Sequence, residues 1–349
     1  MKRFNCFVAI SLSIAMMSAA GGSALAVENT ADNSKYTINI PYEYPLQPGT
    51  DEWFAIESHS EKAEMCQIPD DILENLSTAA LVETVVNYPY FTDMSAFSTP
   101  ELGYATVRDH FNGLQELEKR ADGASTLLSY YQALKNQRAD VNFLTFASME
   151  ITLQQPEITL QMARSAPNGT TLPSDALRIL YPDAAVIASL TYPTTPSGNQ
   201  VTIAWCIYNQ TEMTQAQRDD INEQALENYG LTPLRQPTTK YNCHSYAWYS
   251  QSSTNKWWIS WPDDFMNDSY YRVNNGTIAA NNIVVYRTSI NSTEYLHSGI
   301  VAGVGTGSGT PDRPPVTVTS KWGAWGLYTH NIYNCPAAYG RNVIYYTVA

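Results

Sequence analysis

Two residues of this chain have the type and setting for acyl-transfer chemistry. Cys243 lies in Tyr241-Asn242-Cys243-His244-Ser245-Tyr246-Ala247-Trp248, and the run after it reads as the opening turns of a helix. A thiol there feels the positive end of the helix dipole, which favours thiolate, the form that attacks carbonyls. His297 lies in Tyr295-Leu296-His297-Ser298-Gly299-Ile300-Val301, at the head of an apolar, β-branched run that reads as a strand. A helix-borne cysteine followed by a strand-borne histidine is what a cysteine acyl-transfer enzyme needs, a nucleophile and a base for its proton. His244 is adjacent in sequence, but helix neighbours face different directions, so it reads as lining or capping rather than as the base. The backbone N–H of Cys243 is a natural oxyanion donor, and Asn242 or Tyr241 could add a side-chain donor. The bland reading of Cys243 is a buried structural thiol, since free cysteine is among the most buried residue types.

Other clusters carry less chemistry. The loop Asn255-Lys256-Trp257-Trp258-Ile259-Ser260-Trp261-Pro262 is dense in aromatics. Trp257 and Trp258 read either as a cleft wall that stacks on sugar or peptide, or as cover for the edge of a small sheet. Asp263 and Asp264 are adjacent, so they cannot flank one glycosidic bond at the separation that chemistry needs. Gly303 to Gly309 lacks the lysine and following helix of a phosphate loop. Lys321, beside Trp322, reads as a surface charge. His59 and His110 are assigned no role.

The elements that must position Cys243 and His297 follow from pattern. Residues 27–65 are polar, with Pro41, Pro45 and Pro48, and read as a flexible arm. Residues 66–165 read as an all-α domain. Its helices are signalled by Ser77-Thr78, by Thr99-Pro100-Glu101, by the stripe Leu127, Leu128, Tyr131 and Leu134, and by residues 140–163 with a break near Pro156. Leu102, Val107, Phe111, Leu114 and Leu117 recur at helical spacing after the second of these starts. Residues 166–211 read as a β-hairpin connector around Pro196-Ser197-Gly198-Asn199. Thr214 and Gln217 form a capping-box pattern for a helix that ends at Gly230. After the Cys243 helix, apolar runs at Ile283–Tyr286, His297–Val304, Val316–Trp322 and Val343–Val348 read as a mainly antiparallel sheet. The fold class expected is therefore α+β.

Composition narrows the setting. Lys2 and Arg3, the apolar stretch Phe7 to Met17 and Ala24-Leu25-Ala26 read as a secretory signal over residues 1–26. Its loss takes the 20 basic residues to 18 against 33 acidic ones, a net charge of −15. Nucleic acid is a poor partner for such a surface. No later run reaches the length of a membrane span, so no integral membrane segment is expected after signal removal. Cys66, Cys206, Cys243 and Cys335 remain, too few for a disulfide scaffold and with no CxxC zinc spacing, and no cofactor or metal is expected.

The order of helix-borne Cys, strand-borne His and a polar group on the next strand resembles the papain-like cysteine peptidases and amidases of the exported NlpC type. Residues 212–349 carry the resemblance, through Asn242-Cys243-His244-Ser245-Tyr246-Ala247-Trp248, Leu296-His297-Ser298-Gly299-Ile300-Val301 and Ser320-Lys321-Trp322-Gly323. The best-known branch has Asp before its Cys and Ser-Gly after it, where this chain has Asn242 and His244-Ser245. The resemblance implies an all-α N-terminal domain followed by a papain-like domain over 212–349, with N-terminal helices and an antiparallel sheet. It implies Cys243 as nucleophile, His297 as base, and a third polar group orienting the imidazole. Ser320 matches the strand position for that group. His330, read as lying in a loop past the strand, is nonetheless preferred as the third residue, because a neutral imidazole orients a partner better than a hydroxyl, and Ser320 is the alternative. The substrate implied is a peptide or a peptidoglycan-like substrate, in a secreted enzyme of the cell-wall class. The alternatives are a catalytically inactive papain-like domain, or an adhesin-like surface protein binding peptide or glycan through Trp257 and Trp258.

Overall fold

A computed structural model describes residues 36–136, 141–165, 171–181, 192–201, 204–206, 212–268, 270–273 and 277–348. The architecture is α+β, with helices in the first half and a six-stranded antiparallel sheet in the second. The strands are β1 (Ala204–Cys206), β2 (Trp257–Ile259), β3 (Tyr270–Val273), β4 (Ile283–Arg287), β5 (His297–Val304), β6 (Val316–Lys321), β7 (Leu327–Asn331) and β8 (Asn342–Val348). The main sheet runs β3-β8-β4-β5-β6-β7, and β1 pairs with β2 as a separate two-stranded ribbon. Period-two alternation divides the sheet into two apolar faces. Val284, Tyr286, Val301, Val318 and Tyr328 belong to one core, which also takes in the N-terminal helices. Ile283, Val285, Ile300, Leu327 and Ile344 belong to the other, against Tyr241, Tyr246, Trp248 and Trp257.

The local signals for helices hold where capping chemistry is explicit. Thr99 accepts from the Leu102 N–H at the head of Pro100–Asp109, and Ser77 caps Thr78–Val86. Thr214 and Gln217 close a reciprocal capping box on Gln215–Tyr229, which stops at Gly230 with φ +67°. The stripe from Leu102 to Leu117 is two helices rather than one, Pro100–Asp109 and Asn112–Lys119. The chain breaks at Phe111, which is extended and stacks face to face on Tyr88 with centroids 3.8 Å apart. Burying that ring outweighs continuing the helix. Likewise Phe143–Leu153 and Pro156–Ser165 meet at the expected proline.

The segment expected to be a flexible arm is folded from residue 36 onward, which corrects that expectation. It contains the helices Asp51–Ala55 and His59–Met65. Trp53 is fully buried and donates its indole N–H to the Asn228 carbonyl at 2.8 Å. Proline content misled here because a few large rings, not periodicity, hold the segment down. In the connector, the turn forms where Pro196-Ser197-Gly198-Asn199 placed it, with Gly198 at φ +88°. The strand after it pairs with Trp257–Ile259, and the other expected arm of the hairpin falls largely outside the described residues. The secretory-signal residues also lie outside them.

The helical half and the sheet share one core, and the described residues belong to a single compact unit. Hydrogen bonds cross between the two halves. Trp325 Nε1 donates to Ser95 Oγ at 2.9 Å, Tyr339 OH to the Ala96 carbonyl at 2.7 Å, and Asn228 Nδ2 to the Pro89 carbonyl at 2.8 Å. Gly323 is the tightest point of this junction. It adopts φ +47°, and a Cβ there would lie 2.6 Å from the Phe97 carbonyl oxygen. Gly323→Ala is therefore expected to destabilise by about 2 kcal/mol or more, from left-handed strain plus a backbone clash. Urea denaturation reads this, and a loss under about 0.5 kcal/mol would contradict it.

Candidate active site

Cys243 opens a single helical turn that continues as Ser245–Tyr249 with i→i+5 character. Asn242 organises this turn. Its Oδ1 accepts from the N–H of Ser245 at 3.1 Å and of Ile259 at 3.2 Å. Its Nδ2 donates to the Ile259 carbonyl at 2.7 Å and to Ser98 Oγ at 3.1 Å. The turn lies against β5 and β6. It is docked there by Ser298, whose hydroxyl meets His244 Nδ1 at 2.8 Å and accepts from Trp248 Nε1 at 3.0 Å. His244 is thus a docking residue, in keeping with the non-catalytic reading. Ser298→Ala would leave two buried ring nitrogens without this partner, so a loss of about 1–3 kcal/mol is expected. A thermal-melting midpoint unchanged from wild type would contradict that.

Cys243 is 1% exposed, and its sulfur sits among polar groups. The β5–β6 ladder runs from Ile300↔Thr319 to Val304↔Val316, so the head of β5 has no paired residue on β6. There the Ser298 N–H serves the sulfur, together with the His244 N–H and the Ser98 hydroxyl, whose oxygen is 3.5 Å away. Burial pushes the thiol up. The Ser98 hydroxyl, the two backbone N–H groups and the charge of Lys321 oppose that rise.

Lys321 is fully buried, which corrects its reading as a surface charge. Its ammonium donates to the carbonyls of Thr238 at 2.9 Å and Gly323 at 2.6 Å, and lies 5.4 Å from the centre of the Tyr241 ring. Burial lowers it to about 7, while negative charge on Cys243 and Glu212 pulls the other way. Tyr241 is accordingly a buried platform for this cation and stacks loosely on Tyr246. Neither Tyr241 nor Asn242 presents a free donor, because Asn242 Nδ2 is already committed twice.

His297 is fully buried on the opposite face of β5 from Ser298. Its ring stacks on Tyr339 with centroids 4.0 Å apart and planes 3° from parallel, and it also packs against Tyr286. Neither ring nitrogen has a hydrogen-bond partner among the described residues, so Cys243 and His297 are not hydrogen-bonded to each other. They share Tyr339 as a neighbour, since a charge on Cys243 disfavours ionisation of that phenol. Burial drives His297 well below the usual imidazole range, and His330 and His244 add to this. Gly299 explains the narrow fit beside it. A Cβ there would come 2.5 Å from Val318 Cγ1 and 2.9 Å from Ser320 Cβ.

The two candidates for the third position are bonded to each other. His330 lies within β7, not in a loop beyond the sheet, which corrects that placement. Its Nδ1 meets the Asn331 carbonyl at 2.7 Å and so carries the proton, which leaves Nε2 to accept from Ser320 Oγ at 2.8 Å. Ser320 in turn accepts from Trp322 Nε1 at 3.0 Å. Both candidates share the face of His297, but no hydrogen bond joins either to its ring.

Trp257 and Trp258 are both buried. Trp257 packs in the core behind the Cys243 turn, and Trp258 donates its N–H to the Ser98 carbonyl at 2.8 Å. Neither is an open stacking wall, which corrects that expectation and leaves the sheet-cover reading. Ser98 is the site residue that sequence reasoning missed. It lies 145 positions upstream of Cys243, and only the fold brings it to the sulfur. Lys321 stood inside a quoted motif, and its place between strand residue Ser320 and Trp322 was the signal available.

Among the described residues, no cluster of three or more His, Cys, Asp or Glu could hold a metal ion, and no helix is long and apolar enough to cross a membrane. Comparison with protein-family models, curated proteins and solved structures finds no match to this chain.

Proposed function

We propose that this protein is an exported cysteine hydrolase of papain-like, NlpC-type architecture, which cleaves an amide bond in peptides of the bacterial cell-wall class. The observation that carries the reading is the convergence of donors on one sulfur. Two backbone N–H groups and a buried ammonium favour negative charge on Cys243, and in the closed fold the Ser98 hydroxyl adds to them. A structural thiol has no need of such a set, whereas a nucleophile that must give up its proton during reaction does. In the proposed reaction the Cys243 sulfur adds to the scissile carbonyl once the closed fold opens and brings His297, which here lies on the opposite face of β5 and makes no bond to the sulfur, within reach of the thiol proton. His297 then protonates the leaving amine, and the thioester remains on Cys243. Water, deprotonated by His297, adds to the thioester and restores the thiol. His297 suits the role through its two uncommitted nitrogens. Export rests on the character of residues 1–26.

A second reading is favoured by a specific observation: burial outweighs the donors, so the Cys243 thiol is raised overall, and no bond to His297 is made. On that reading the same fold binds peptide without cleaving it. A peptidyl chloromethyl ketone separates the two. The hydrolase reading expects one covalent adduct, mapped by peptide mass spectrometry to Cys243, and none on Cys66 or Cys335. Adducts spread equally over Cys243 and the other cysteines, or none at all in a protein whose site is opened, would sink it.

A further inference from the structure

The segment Ser95–Thr99 receives a run of polar contacts from distant parts of the chain. It leaves a short helix, Phe91–Ala96, and turns extended at Phe97 and Thr99 before the next helix begins at Pro100. Side chains from elsewhere hold its carbonyls one after another. Tyr339 OH donates to Ala96 O at 2.7 Å, Tyr181 OH lies 3.3 Å from Phe97 O, and Trp258 Nε1 donates to Ser98 O at 2.8 Å. Successive main-chain contacts of this kind are how a groove reads an extended peptide regardless of sequence.

The position of Ser98 Oγ is the decisive detail. It lies 3.5 Å from Cys243 Sγ and 3.1 Å from Asn242 Nδ2. A point within reach of both a nucleophile and a side-chain amide donor is where the oxygen of a reacting carbonyl belongs. Here that point is taken by a side-chain oxygen that offers no electrophilic carbon, so the contact is stable to attack.

We propose that Ser95–Thr99 is a built-in ligand of the Cys243 site, with Ser98 Oγ standing where a substrate carbonyl oxygen would stand, so that the chain as folded is closed and its groove takes an extended peptide once this strap moves. The proposal rests on the cysteine-hydrolase reading for the identity of the site, and its test separates the two. The strap itself is bound by contacts that hold whether or not Cys243 performs chemistry.

The test uses the full chain. In Tyr181→Phe combined with Tyr339→Phe, the rings and their packing remain while the hydroxyl contacts to Met94 O, Ala96 O and Phe97 O are lost. Iodoacetamide labelling, followed residue by residue by mass spectrometry, should then accelerate at Cys243 by about tenfold or more, with Cys66 and Cys335 unchanged. A synthetic peptide of the sequence Met94–Pro100, added in excess, should slow that labelling again. Equal labelling of Cys243 in wild type and variant overturns the strap. The wild-type protein provides a second measurement independent of the variant's folding. In sub-denaturing urea, labelling of Cys243 should depend less steeply on urea than labelling of Cys335, because releasing the strap exposes less surface than unfolding the molecule. Identical slopes overturn the proposal as well. If Cys243 opens as expected but the variant hydrolyses no peptide, the strap stands and the hydrolase reading falls. If wild type and variant hydrolyse peptides equally fast, the hydrolase reading stands and the strap falls.

Discussion

Cys243→Ala is expected to lower peptide hydrolysis by about 10⁴-fold or more, measured in the strap-loosened background so that access does not limit the rate. The change removes the atom that forms the thioester, and no other described thiol has a comparable donor set. Burial pushes Cys66 up to about 12 and raises Cys335 as well, which disfavours their thiolates. His297→Ala should cost nearly as much, about 10³-fold or more, because the thiol proton would then have no acceptor. Ser320→Ala is expected to change the rate less than tenfold. Its single proton is committed to His330, and its oxygen already accepts from Trp322, so it does not orient His297 directly. This ordering of effects is the specific signature. A Ser320→Ala variant as inactive as His297→Ala would mean that the Trp322-Ser320-His330 chain reaches the base during turnover. Hydrolysis persisting in Cys243→Ala would remove the nucleophile assignment altogether.

Much of the scaffold around these residues was legible because it depends on local chemistry. A serine, threonine or proline at a helix start acts within one turn, so Ser77, Thr99 and Thr214 announced their helices. β-Branched runs announced β4, β5, β6 and β8 within one residue at either end. β7 escaped because Leu327-Tyr328-Thr329-His330-Asn331 has one apolar residue at its head and an aromatic next to it, with no clean alternation. Its place is set by pairing with β6, not by its own pattern. Cys243 and His297 were legible as residue types in a plausible order, since order along the chain survives into topology. Their mutual geometry was not. The strand phase that turns His297 toward Tyr339, and Ser298 toward the Cys243 turn, follows from β4 pairing Tyr286 with His297. That register depends on contacts between segments far apart in sequence. Ser98 and the burial of Lys321 were invisible for the same reason. Ser98 reaches the site where the helical half closes on the sheet, and Lys321 is covered by the chain around Thr238 and Tyr241, contacts with no local signal. Treating residues 27–65 as an arm failed for a related cause, because Trp53 and Tyr44 gain their partners only from Asn228 and Thr84.

The histidines make acid the condition to which this fold should be most sensitive. Four of the five are buried: His59, His244, His297 and His330. Burial, the first cause in each case, lowers His59 to about 3 and His244 and His330 to about 4, and takes His297 well below its usual range. In the unfolded chain each titrates near about 6.5. Between about pH 6.5 and pH 4 the unfolded state therefore binds more protons than the native state, and stability falls as pH falls through that window. Asp93 works against this. Burial raises it to about 8 despite its bond from Tyr229 OH, so the native state holds a proton there that the unfolded state has lost above about pH 4. Its contribution weakens the fold as pH rises from about 4 to 8. Glu83, Glu150, Glu227 and Asp263 are also raised by burial and oppose the histidines in the same way, so the four histidines leave a net uptake of about one to three protons on unfolding near pH 5, or roughly 1–4 kcal/mol lost per pH unit. Against a typical total of about 5–15 kcal/mol, this is a substantial loss of stability between about pH 6.5 and pH 4. Urea denaturation at half-unit steps from pH 7 to pH 4.5 measures the slope. His330→Asn should flatten it by about one proton, since the amide keeps a polar partner for Ser320 and does not titrate. A stability that stays level from pH 6.5 to pH 4.5 would mean that these imidazoles are not held neutral inside the fold.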